Sequence, residues 1–170
     1  MYRKIMEYLI EWKNSPYRKP LILQGARQVG KTYSILEFGR EHYENVAYFN
    51  FETNPRLIRT FDESIDPNYL IPILSRLSNQ TIIKGQTLII LDEVQLCERA
   101  LTSLKYFCEN APEYHIIVAG SLLGVAVNRE RFSFPVGKVD LKTLYPMDME
   151  EFLLALGEAE LVTQIKECFE

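Results

Sequence analysis

The chain has 170 residues, 47% of them hydrophobic and 25% charged, and a formal net charge of −4. That length and apolar share suit one core and one domain, while the acidic balance gives no whole-chain reason to expect nucleic acid or an anionic membrane surface as a partner. No apolar run approaches the ~20 residues that span a bilayer, and the amino terminus MYRKIMEYLIEWKNSPYRKP lacks the apolar centre of a signal peptide, so a cytoplasmic protein without membrane contact is expected.

Tyr2, Ile5, Leu9 and Trp12 recur at helical spacing among Lys4, Glu7, Glu11 and Lys13, which predicts an amphipathic helix within residues 1–15. Asn14-Ser15-Pro16 ends it, and Leu21-Ile22-Leu23 reads as a short buried strand stopped by Gly25. A helix is predicted from Lys31 to about Tyr43, with Ile35, Leu36 and Phe38 on its apolar face. Val46 to Phe51 reads as a second strand, residues 52–67 as a mostly polar stretch, and Tyr69 to Leu77 as a helix. After the turn Lys84-Gly85-Gln86, Thr87 to Leu91 is the clearest buried strand, and it ends in Asp92-Glu93. Leu101, Leu104, Lys105, Phe107 and Cys108 outline another helix, and His115 to Ala119 another strand, ending in Gly120-Ser121. A last strand falls somewhere in Val136 to Leu144, and within a helical segment over 145–170 Asp148 and Glu151 make a capping-box-like pair ahead of Phe152-Leu153-Leu154. Strands alternating with helices imply an α/β fold with a mostly parallel sheet covered on both faces. Cys97, Cys108 and Cys168 form no C-x-x-C pair and predict neither disulfide nor zinc site, and His42 and His115 read as structural.

Gly25-Ala26-Arg27-Gln28-Val29-Gly30-Lys31-Thr32 satisfies the P-loop pattern between a strand and a helix. Its glycines let successive backbone N–H groups turn toward phosphate oxygens, and the helix N-terminus adds its positive dipole end. Lys31 is expected to reach the β and γ phosphates and Thr32 to give its hydroxyl to Mg²⁺. Gly25 to Thr32 as a whole, Arg27 included, are the expected nucleotide-binding residues; the Arg27 side chain either leans toward phosphate or, the favoured reading, is solvated. Asp92 follows an apolar strand, where it would hold the metal through water, and Glu93 beside it is placed to orient or deprotonate an attacking water. The plainer alternative for this pair is a strand-ending turn. Ser121 is either a polar sensor of the γ phosphate or a helix N-cap. Arg129, Arg131 and Lys138 are candidates for stabilising transition-state charge, against a solvated surface role.

GARQVGKT, LDEVQ, AGSLLG, FPVGKV and LYPMDMEEFL, in that order, resemble the ATPase domain of a widespread group of prokaryotic AAA-type ATPases, over nearly the whole chain. The resemblance implies a P-loop αβα sandwich with strand order 5-1-4-3-2, ATP or ADP as the nucleotide, and Gln95 as part of the DEVQ signature. It also implies a following C-terminal domain of uncharacterised function, grouped with nuclease-like folds, so that residues 1–170 would be a single P-loop domain without it. The helical lid that carries a second arginine sensor in better-known AAA proteins has no recognisable counterpart, which implies slow hydrolysis by this domain alone. The expected function is Mg²⁺-dependent hydrolysis of ATP to ADP and phosphate. Two alternatives are a nucleotide-gated switch with little turnover and a small-molecule phosphotransferase. Self-association or the C-terminal domain are the expected partners; nucleic acid is not supported for this domain.

Overall fold

The computed structural model describes residues 2–121 and 135–169. In chain order it forms α1 (Ile5–Asn14), β1 (Leu21–Gln24), α2 (Lys31–His42), β2 (Asn45–Asn50), α3 (Pro55–Glu63), α4 (Pro67–Ser78), β3 (Thr87–Asp92), a 3₁₀ turn (Val94–Leu96), α5 (Glu98–Asn110), β4 (His115–Gly120) and β5 (Asp140–Thr143). Two short helices, α6 (Met149–Ala155) and α7 (Ala159–Cys168), follow. The five strands make one sheet in the order β2-β3-β4-β1-β5, the expected 5-1-4-3-2 read from the other side. Every neighbouring pair is parallel.

Strand period and burial explain the three layers. β3 and β4 are buried at every position, whereas the edge strands β2 and β5 are only partly covered, as a parallel sheet with helices on both faces requires. Alternate residues of each strand enter opposite cores. Ile22, Ile89, Leu91, Ile116 and Val118 pack with Leu57, Phe61, Leu70, Leu104 and Phe107 from α3, α4 and α5. Leu21, Leu23, Leu88, Ile90, Ile117 and Ala119 pack with Leu9 and Trp12 of α1 and Ile35 and Phe38 of α2 on the other face.

Two elements differ from the sequence reading. The polar stretch 52–67 contains α3, which is capped by the Asn54 side chain accepting from the Arg56 backbone N–H and starts on Pro55. Only Leu57, Thr60 and Phe61 of α3 are buried, so a narrow stripe carries it and its mean polarity hides it. The terminal helical segment is two helices, because Gly157 adopts φ +84° and its N–H bonds to the Leu154 carbonyl while that of Glu158 reaches Leu153. The cap ahead of α6 forms as read: Asp148 accepts from the Glu151 backbone, and Glu151 reaches back to the Asp148 N–H. Among the described residues all three cysteines are free and no helix is long and apolar enough to cross a membrane.

Candidate functional site

The register brings the carboxyl ends of four strands level. Gln24 lies opposite Gly120, Leu91 opposite Val118, and Asn50 opposite Asp92. The turns after β1, β2, β3 and β4 therefore open onto one edge, where ligands of open α/β sheets bind. A cleft of about 460 Å³ lies there, and its walls include Gly30, Lys31 and Thr32 after β1, Glu52 after β2, Glu93 after β3 and Ser121 after β4.

The loop Gly25 to Gly30 closes tightly at both ends. Gly25 passes under the end of β5 so closely that a Cβ would lie 2.4 Å from the Leu144 carbonyl oxygen. Gln28 (φ +63°) and Gly30 (φ +90°) both take left-handed backbone, a strained choice for glutamine of the kind that clusters at ligand clamps. Arg27 and Gln28 are exposed on the cleft rim, and Val29 is buried. Lys31 is 8% exposed and donates from Nζ to the carbonyls of Gly25 (2.9 Å) and Ala26 (2.6 Å), so the ammonium is held across the mouth of its own loop. Burial lowers its pKa, with the carboxylates of Glu93 and Asp92 opposing that shift.

Asp92 is 2% exposed and its carboxylate is shared among three donors. Thr32 Oγ1 donates to Oδ2 at 2.7 Å, Tyr48 OH donates to the same oxygen at 2.9 Å, and the Glu93 N–H donates to Oδ1 at 2.9 Å. Thr32 and Asp92 are thus two hard oxygen donors in contact, the donor type Mg²⁺ takes while keeping its remaining positions for water and phosphate. No cluster of three or more His, Cys, Asp or Glu side chains that could hold a metal occurs among the described residues. Tyr48 is pushed up to about 12, chiefly by burial and further by its bond to Asp92, which keeps it a donor.

Glu93 itself sits at φ +55°, left-handed backbone that turns the chain out of β3 into the 3₁₀ segment. Gln95 donates from its amide nitrogen to the Glu93 carboxylate, while its own amide oxygen is buried without a partner among the described residues. Ser121 is 4% exposed and lines the same cleft.

Gly30, Lys31, Thr32, Asp92, Glu93, Gln95 and Ser121 are therefore brought together. Lys138 is not: it precedes β5 and so lies at the amino edge of a parallel sheet, where its Nζ is 3.3 Å from Glu109 at the end of α5. Arg129 and Arg131 fall outside the described residues. Tyr48 and Glu52 were missed. Neither has a motif, and the signal for Tyr48 is only that its strand neighbours the one carrying Asp92.

The topology, loop and acidic strand define a P-loop α/β domain of the nucleotide-binding ATPase fold. Residues 17–153 match the family described as AAA domain, and the chain belongs to that family. No curated protein matches it. Among solved structures it is similar to Drosophila ORC bound to DNA (16% identity, TM-score 0.59, 95% of this chain and 47% of that one). It is also similar to Cdc6p from Pyrobaculum aerophilum (14%, 0.55, 93% and 49%) and to AMPPCP-bound DnaA from Aquifex aeolicus (16%, 0.53, 91% and 48%). At these identities the likeness is one of fold, and the chain spans about half the length of each of these structures.

Proposed function

We propose that this chain binds ATP with Mg²⁺ and hydrolyses it to ADP and phosphate. The observation that carries the reading is the contact between Thr32 at the start of α2 and Asp92 at the end of β3, 60 residues apart, with Glu93 lining the cleft beside them. A P-loop alone would serve any phosphate ligand; an acidic pair set against its hydroxyl suits metal-assisted attack by water. That the DnaA structure of similar fold is bound to AMPPCP, an ATP analogue, supports ATP as the nucleotide.

In this reading the backbone N–H groups of residues 26–31 cradle the phosphates, and the Lys31 ammonium exchanges the loop carbonyls for β and γ phosphate oxygens. Thr32 and Asp92 hold Mg²⁺, which when bound neutralises charge on those oxygens. Tyr48 fixes the Asp92 carboxylate. Glu93 accepts the proton of the attacking water once its bond from Gln95 is exchanged for that water, and Ser121 donates toward the γ phosphate.

Glu93→Gln is the deciding variant. It should leave Mg·ATP affinity within about threefold while lowering phosphate release by about 10²-fold to 10⁴-fold; unchanged release would remove Glu93 from the mechanism. A second reading, a nucleotide-gated binding module, is favoured by one feature. Among the described residues Arg27 and Lys31 are the cations lining the cleft, and Lys31 is already engaged by the carbonyls of its own loop. Phosphate release measured over a range of protein concentrations separates the two. Release rising faster than linearly identifies a hydrolase completed by a second subunit, and tight binding without release identifies the module.

A further inference from the structure

Arg3 is 2% exposed, although arginine is rarely buried without partners. Its guanidinium is divided among three stretches of chain. Nη1 donates to the Val29 carbonyl at 3.0 Å, inside the phosphate loop; Nη2 donates to the Tyr145 carbonyl at 2.9 Å; and Nε donates to Glu151 Oε1 at 3.2 Å. Glu151, 5% exposed, is equally committed. The oxygen that receives Arg3 also accepts the Lys4 N–H at 2.8 Å, and the other accepts the Asp148 N–H at 3.2 Å and so closes the cap of α6. The carboxylate that starts α6 is therefore also the anchor of the arginine that holds the loop.

A buried ion pair is weak support for stability in itself, because apolar side chains of similar volume serve as well. What a planar, five-donor guanidinium adds is geometry: it fixes three acceptors relative to one another. The fit leaves little slack, since a Cβ on Gly30 would lie 3.2 Å from Arg3 Nη1.

We infer that Arg3 is a positioning residue that couples the phosphate loop to the α6 cap through Val29 and Glu151. The loop shape that receives phosphate and the docking of α6 onto the start of α1 then form together. A ligand that steadies one steadies the other, and displacement of α6 weakens the ligand by the same factor. For its ligand, though not for its geometry, the inference rests on the nucleotide-binding reading above.

The test is amide hydrogen exchange on the whole chain with Mg·ADP as the probe. In the unmodified protein Mg·ADP should slow exchange both at residues 28–32 and at the first turn of α6, residues 149–152. Arg3→Lys keeps the charge but not the three-way reach. It should lower Mg·ADP affinity about tenfold and abolish the slowing at α6 while leaving that at the loop; Glu151→Gln should do the same. A purely structural Arg3 would lower Tm and leave the pattern of slowing unchanged, which overturns the inference. So does an α6 that fails to respond in the unmodified protein, a result that stands even if the variants do not fold. If the unmodified protein does not bind Mg·ADP, the nucleotide reading fails instead. The coupling is then judged without ligand: Arg3→Lys must speed exchange at residues 28–31, and unchanged exchange there overturns it.

Discussion

His115 opens β4 at 7% exposure, with its Nδ1 2.7 Å from the Tyr43 hydroxyl and its ring edge-on to Trp12 and Tyr43. Burial lowers its pKa from the ordinary 6.5 to about 4, and the positive charges of Arg18 and Lys13 push the same way. The imidazole thus stays neutral in the fold at pH values where the unfolded chain protonates it. Between about 4 and 6.5 the unfolded state binds more protons, so this residue's contribution to stability is whole above pH 6.5 and is lost as pH falls toward 4. Thermal unfolding of the unmodified protein should lose several degrees of Tm across that window, and His115→Phe should flatten the slope. Equal slopes would show that carboxylates alone set the acid limit.

At the scale of elements, the close pass of the loop under β5 is the most exacting contact. The Leu144 N–H bonds to the Gln24 carbonyl at 2.8 Å, extending the β1–β5 ladder one step past the strand. Its own carbonyl faces Gly25 where no Cβ fits. Gly25→Ala must move backbone rather than a side-chain tip, so it should destabilise by about 1–3 kcal/mol and weaken Mg·ADP binding together. A Tm drop with unchanged affinity would mean that β5 moves aside and the loop does not. The elements also show what the sequence could disclose. The strand-to-helix loop at Gly25 to Thr32 and the strand end at Asp92-Glu93 were legible because each lies within one stretch bordered by a clear apolar run. β3 and β4 were legible because their apolar runs are continuous, and the α6 cap because Asp148 and Glu151 are three apart. Tyr48 and Arg3 were not, because their partners Asp92, Val29 and Glu151 come near only once sheet order and helix docking are known. α3 was hidden by its polar faces.

For the whole molecule the decisive fact is where β1 lies. β1, the second element in chain order, is flanked by β4 and β5, which come roughly a hundred residues later, and Arg3 meets Glu151 across 148 residues. Such long-range closure is entropically late in folding. Removing residues 140–170 would leave β1 an edge strand and take from Arg3 both Glu151 and the Tyr145 carbonyl, so that only the bond to Val29 remains to place it against the loop. The shortened chain should accordingly bind Mg·ADP at least about tenfold more weakly; undiminished binding would show that the first four strands suffice. During synthesis the consequence is one of timing. The loop motif leaves the ribosome roughly 120 residues ahead of Glu151, the acceptor that anchors Arg3, so nascent chains carry the motif long before they carry the site.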